Sequence, residues 1–170
     1  YTTVGRCDDR PTVVYFGPVH GDERVGGELL YRLIAHISSY WTTKTVQDLL
    51  AACNLVIVPH PNPDGFYALR RELENEVDMN RAFYPDRCGT SNPFAHLGSV
   101  PEVEHTKAFF LAENPEAVLL MHGGAVTVSY PYDDECTHHG SRIPSLAPDS
   151  TLHLQMARNY SMSNYLMSIP

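Results

Sequence analysis

Three short apolar runs constrain what this chain can fold into more than any other feature of its sequence. They are Thr12 to Phe16 (TVVYF), Asn54 to Val58 (NLVIV) and Ala117 to Met121 (AVLLM). All three are too short for a helix, and the first two are β-branched in character. The first closes at Gly17-Pro18, the second at Pro59, Pro61 and Pro63, and the third at His122-Gly123-Gly124. They read as buried strands. Helix-patterned sequence lies between them. From Val25 to Ile37 the apolar residues Val25, Leu29, Leu30, Leu33, Ile34 and Ile37 recur at helical spacing. Thr45 to Cys53 reads as a shorter helix. Pro101 opens another that runs to Glu113, with Glu102 and Glu104 favourably placed in its first turn. Asp149 is suited to capping a last helix that reaches about Tyr160. His60 to Val100 is polar, Pro- and Gly-rich and reads as irregular. Strands alternating with helices predict an α/β fold: a mixed, mainly parallel central sheet with helices on both faces. Ligands gather in such folds where strands end and loops begin.

Composition narrows the class of function. The 170 residues are 43 % hydrophobic and 19 % charged, an ordinary globular balance. The formal net charge of -8, with no basic run, argues against a nucleic-acid partner. No apolar stretch approaches the ~20 residues that span a bilayer. The N-terminus is not built like a signal peptide, although the abrupt start at Tyr1 leaves room for a removed leader. Cys7, Cys53, Cys88 and Cys136 lie far apart, which argues against a cysteine-type zinc knuckle and permits two disulfides. Asn159-Tyr160-Ser161 is a glycosylation sequon, which suits a secreted protein.

The chemistry-bearing residues fall at the strand ends. His20-Gly21-Asp22-Glu23 follows the first strand directly, and its His and Glu are three positions apart, so one turn of chain can aim both at a single ion. His122 ends the third strand. Two histidines and a carboxylate are a catalytic zinc set that leaves a position open for water. An isolated His-x-x-Glu, or a lone His after a strand, also occurs in purely structural roles. A second group is Asp78-Met79-Asn80-Arg81, with Arg71 nine residues before Asn80. An arginine beside an amide can hold a planar carboxylate through a forked, charge-assisted contact. In isolation each arginine reads equally as a surface ion-pair partner.

Taken together, these blocks resemble the zinc metallocarboxypeptidases, in particular the regulatory branch that includes carboxypeptidases D, E, M and N. The matching residues are His20-Gly21-Asp22-Glu23 with Val25-Gly26, then Asn62-Pro63-Asp64-Gly65-Phe66, then Asp78-Met79-Asn80-Arg81, then His122-Gly123-Gly124-Ala125 with Tyr130-Pro131-Tyr132-Asp133. They occur in family order across roughly residues 12 to 165. The resemblance implies a metallocarboxypeptidase-like fold and hydrolysis of single C-terminal residues from peptides or proteins, with one Zn2+ ion. It assigns His20, Glu23 and His122 as zinc ligands and Asp78 as the carboxylate that orients a ligating histidine. Asn80 and Arg81 would grip the substrate's terminal carboxylate, and Arg71 would polarise the scissile carbonyl. Asp133 would sit at the base of the specificity pocket and favour C-terminal Arg or Lys. A turn residue in the pair Asp133-Asp134 is the competing reading of that position.

The sequence also departs from the family pattern. Asn80-Arg81-Ala82-Phe83 stands where the family has NRNF, and the segment between Gly65 and Arg71 is short, which leaves Arg70 as a rival to Arg71. The family's general-base glutamate lies well downstream of the YPYD block, whereas the last glutamate here is Glu135. The expectation is that residues 1–170 form the N-terminal and central portion of a single peptidase catalytic domain, inactive alone, with a second polypeptide as one way of completing it. The alternatives are an aspartoacylase-like zinc amidohydrolase and a catalytically inactive relative that binds zinc or peptide termini.

Overall fold

The computed structural model describes residues 2–4, 9–83, 100–132 and 145–168. The chain divides into two units, Tyr1–Tyr84 with Pro93–Gly123, and Pro85–Asn92 with Gly124–Pro170. The first unit holds a four-stranded sheet. Its strands are β1 (Thr2–Val4), β2 (Thr12–Phe16), β3 (Asn54–Val58) and β4 (Ala117–Leu120), in the order β1-β3-β2-β4. β2 runs parallel to both β3 and β4, while β1 pairs with β3 antiparallel, so the sheet is mixed and mainly parallel as expected.

Both faces of the sheet are covered, and the period of two along each strand decides which side chain goes where. Val14 and Phe16 of β2 and Val56 of β3 point to one side, into a core with Leu73, Val77, Met79 and Val103. Val103 belongs to α5 (Pro101–Glu113), whose Phe110 ring also packs against Phe16 at 5.1 Å. Leu55 and Ile57 point to the opposite side, where they meet Leu30 and Ile37 of α1 (Arg24–Ser39) and Val46 of α2 (Lys44–Ala52). Each fully buried Leu, Ile or Val contributes about 1.5–3 kcal/mol of hydrophobic stabilisation. These two cores therefore fix the sheet and, with it, the loops at its carboxyl end.

The stretch expected to be irregular contains two short helices, α3 (Pro63–Ala68) and α4 (Met79–Ala82). Asn62 caps α3 by accepting the Gly65 N–H, and Asp78 caps α4 by accepting the Asn80 N–H. The second unit contains α6 (Ser150–Met162) and α7 (Tyr165–Ser168). Asp149 holds the N-cap position of α6, but its side chain bonds no first-turn N–H. No helix among the described residues is long and apolar enough to cross a membrane.

Candidate metal centre

Parallel strands bring the loops that follow them to the same end of the sheet. Here β2 leads into His20, β3 into Asn62 and β4 into His122. Additional backbone bonds carry β2 beyond its last residue: Gly17 N–H to Val58 O at 2.7 Å and Met121 N–H to Phe16 O at 2.8 Å. The next turn brings Glu23 round to the start of α1, with its N–H on His20 O.

His20, Glu23 and His122 come together, with one potential ligand atom from each and all of them within 4.8 Å of one another. Glu23 sits at the middle. One carboxylate oxygen lies 2.7 Å from His20 Nδ1, and the other 2.8 Å from His122 Nδ1. The Gly123 N–H donates to that second oxygen at 2.8 Å. The two imidazole rings lie 5.0 Å apart. Exposure is graded across the set: His20 is 2 % exposed and the His122 side chain 33 %, so the cluster is anchored on one side and open on the other. Two imidazole nitrogens and a carboxylate converging in this way fit the donor set of a catalytic zinc ion.

Asp78 and Arg71 extend the network. Asp78 Oδ1 lies 3.0 Å from His20 Nε2, the ring nitrogen turned away from Glu23. Its other oxygen accepts from Arg71 Nε at 3.0 Å and pairs with Nη2 at 2.9 Å. Arg71 Nη1 also reaches Glu23 Oε1 at 3.4 Å. Among the described residues it is Arg71, of the two rival arginines, that pairs with Asp78 and Glu23, and Arg70 makes no hydrogen bond or ion pair with the cluster. Burial raises the Glu23 pKa, but hydrogen bonds with Gly123, His122 and His20, and the charge of His20, outweigh it and hold the carboxyl below its ordinary value. Asp78 behaves in the same way: burial raises it, and His20 and Arg71 bring it down further. Both groups are therefore carboxylates at neutral pH.

The other expected site residues lie elsewhere. Asn80 and Arg81 are on α4, immediately after Asp78; the Asn80 N–H donates to Asp78 Oδ1, and among the described residues neither side chain hydrogen-bonds to the cluster. Asn80 lines an apolar cleft of about 620 Å³ with Phe16, Val19, Phe110, Val118 and Leu120. Arg81 is exposed, and among the described residues it has no carboxylate partner. Asp133 lies outside the described residues. The motifs assign no role to two further contributors, the Gly123 N–H and the Asn62 side chain. A backbone donor carries no residue-type signal, but Asn before Pro-Asp-Gly is a legible cap.

The zinc carboxypeptidase family profile matches residues 5–168. The chain is 34 % identical to carboxypeptidase D of Anas platyrhynchos over 169 residues, covering 92 % of this chain and 12 % of that protein. It is 34 % identical to carboxypeptidase M of Mus musculus over 167 residues, covering 91 % and 36 %. It therefore spans about a third or less of the length of these relatives. Among solved structures, thrombin activatable fibrinolysis inhibitor superposes with a TM-score of 0.74 at 19 % identity, covering 99 % of this chain and 48 % of the other, a likeness of fold. The relatives named are carboxypeptidases, and the amidohydrolase alternative is not favoured. By the family match over residues 5–168, the chain belongs to the zinc carboxypeptidase family.

Proposed function

We propose that the intact protein hydrolyses single C-terminal residues from peptides or proteins, with His20, Glu23 and His122 holding one zinc ion. The convergence of these three side chains from the ends of β2 and β4 and the start of α1 is the observation that carries this reading. When bound, zinc supplies Lewis acidity and an acidified water. The chain's own residues do the rest. With Nδ1 turned to Glu23 and Nε2 to Asp78, His20 offers Nδ1 to the ion and gives its Nε2–H to Asp78. Arg71, held by Asp78, presents its guanidinium to the scissile carbonyl oxygen, a contact of the oxyanion-stabilising kind worth about 3 kcal/mol per donor. Arg81, exposed and unpaired among the described residues, binds the substrate's terminal carboxylate together with Asn80.

Asp133 gives a preference for C-terminal Arg or Lys, a reading that rests on the Tyr130-Pro131-Tyr132-Asp133 block. A secretory route is supported by the sequon at the exposed Asn159.

The test is turnover of a peptide ending in Arg by the intact protein, beside the same peptide with its C-terminus amidated. Chelator-sensitive release of Arg from the free acid alone supports the proposal. Stoichiometric zinc without turnover of any peptide would instead identify a binding relative.

A further inference from the structure

The block Asn62-Pro63-Asp64-Gly65 takes no part in the chemistry above, yet its first residue is among the most buried polar groups of the described residues, at 2 % exposure. Its side-chain oxygen accepts the Gly65 N–H at 2.9 Å and closes the first turn of α3. Its amide nitrogen serves two other segments. It donates to Val19 O at 2.9 Å, the carbonyl immediately before His20. It also donates to Glu72 O at 3.2 Å and lies 3.5 Å from Arg71 O. The same Arg71 carbonyl accepts the Gly21 N–H at 3.3 Å, so His20 is tied to the Arg71 segment on both sides.

The fit around this amide is tight. A Cβ on Gly21 would overlap the backbone of Gly65 and Phe66, and a Cβ on Gly65 would overlap the Asn62 amide and the Glu72 carbonyl. One side chain with an acceptor at one end and two donors at the other thus joins three chain segments. One segment carries the innermost ligand candidate, and another carries the arginine beside it. Buried carbonyls need donors, and an aspartate here would set an acceptor against Val19 O and Glu72 O.

We infer that Asn62 is a positioning residue of the metal centre, setting the separation of His20 from Arg71 without touching metal or substrate. The inference rests on the zinc reading proposed above. Its test uses the intact protein carrying Asn62→Asp, which keeps the oxygen that accepts from Gly65 and removes the donors. A core variant on the other face of the sheet, Val46→Ala, serves as the control for general loss of stability. Zinc affinity is measured by chelator competition, and geometry by the visible absorption of the cobalt-substituted protein.

Asn62→Asp is expected to weaken zinc binding 10–100-fold, the range found when outer partners of a ligand are lost, and to shift the cobalt spectrum. The control should leave both unchanged. Wild-type affinity and spectrum in Asn62→Asp would overturn the inference and leave the zinc reading standing, whereas a wild type that binds no zinc would overturn that reading. If Asn62→Asp does not fold, Asn62→Ser, which retains an acceptor in a smaller side chain, replaces it. Failure of both to fold would also overturn the inference, since Asn62 would then determine the fold rather than the geometry of the centre.

Discussion

Glu23 gathers a ring nitrogen of His20, a ring nitrogen of His122 and the Gly123 N–H, with Arg71 Nη1 beyond them at 3.4 Å. These contacts outweigh the cost of burying its charge and keep it ionised. Asp78 plays the matching part on the far side of His20, where it bridges the imidazole and the Arg71 guanidinium. Its charge serves both neighbours: it strengthens the hydrogen bond that fixes the ring, and it holds the arginine in place. Asp78→Asn preserves the shape but gives up the charge and one acceptor. Zinc affinity should fall about 10–100-fold, measured by chelator competition, with little change in secondary structure by circular dichroism. An unchanged affinity would remove Asp78 from the role of orienting His20.

Between elements, the seam of α1 and α3 is built from tilted ring contacts and one cation. The Arg24 guanidinium sits 4.2 Å over the Phe66 ring, Phe66 lies 4.2 Å from His60, and His60 lies 5.3 Å from Tyr31. Burial first, and then the Arg24 charge, lower the His60 pKa. A depressed histidine favours the neutral ring in the folded state. Its contribution to stability is fully present above the ordinary histidine pKa of about 6.5 and is lost as pH falls through the lowered folded value. His60→Phe should therefore flatten the acid-side decline of the unfolding midpoint below about pH 6.5, measured by chemical unfolding across pH. An identical decline in the variant would show that His60 does not titrate with folding. The strands beside this seam were legible because β-branched runs ending at Pro or Gly leave little choice. By contrast, α3 was hidden by the very prolines that mark it. Pro63 reads as a strand breaker, although after Asn62 it is the first residue of a capped helix. The four residues of α4 and the three of β1 are too few for periodicity to register.

At the scale of the whole molecule, three parallel strands convert sequence blocks far apart in the chain into one cluster. His20 and His122 are separated by about a hundred residues, yet their rings lie 5.0 Å apart because β2 and β4 are neighbours in register, Val14 beside Val118. The ligand candidates could be named from the sequence because the HGDE and HGG blocks end strands whose existence was plain. The linkage of Asp78 to Arg71, and of Asn62 to both loops, depends on distances between side chains that no spacing encodes. Asp133 and the specificity it would confer lie outside the described residues, so that expectation stands on the sequence alone. All the proposed chemistry depends on whether the cluster holds metal. The direct measurement is the zinc content of the purified intact protein, wild type beside His20→Ala and His122→Ala. One zinc per chain is expected in the wild type, lost in both variants. A wild type free of zinc under zinc-replete conditions, or stoichiometric zinc retained in either variant, would contradict it.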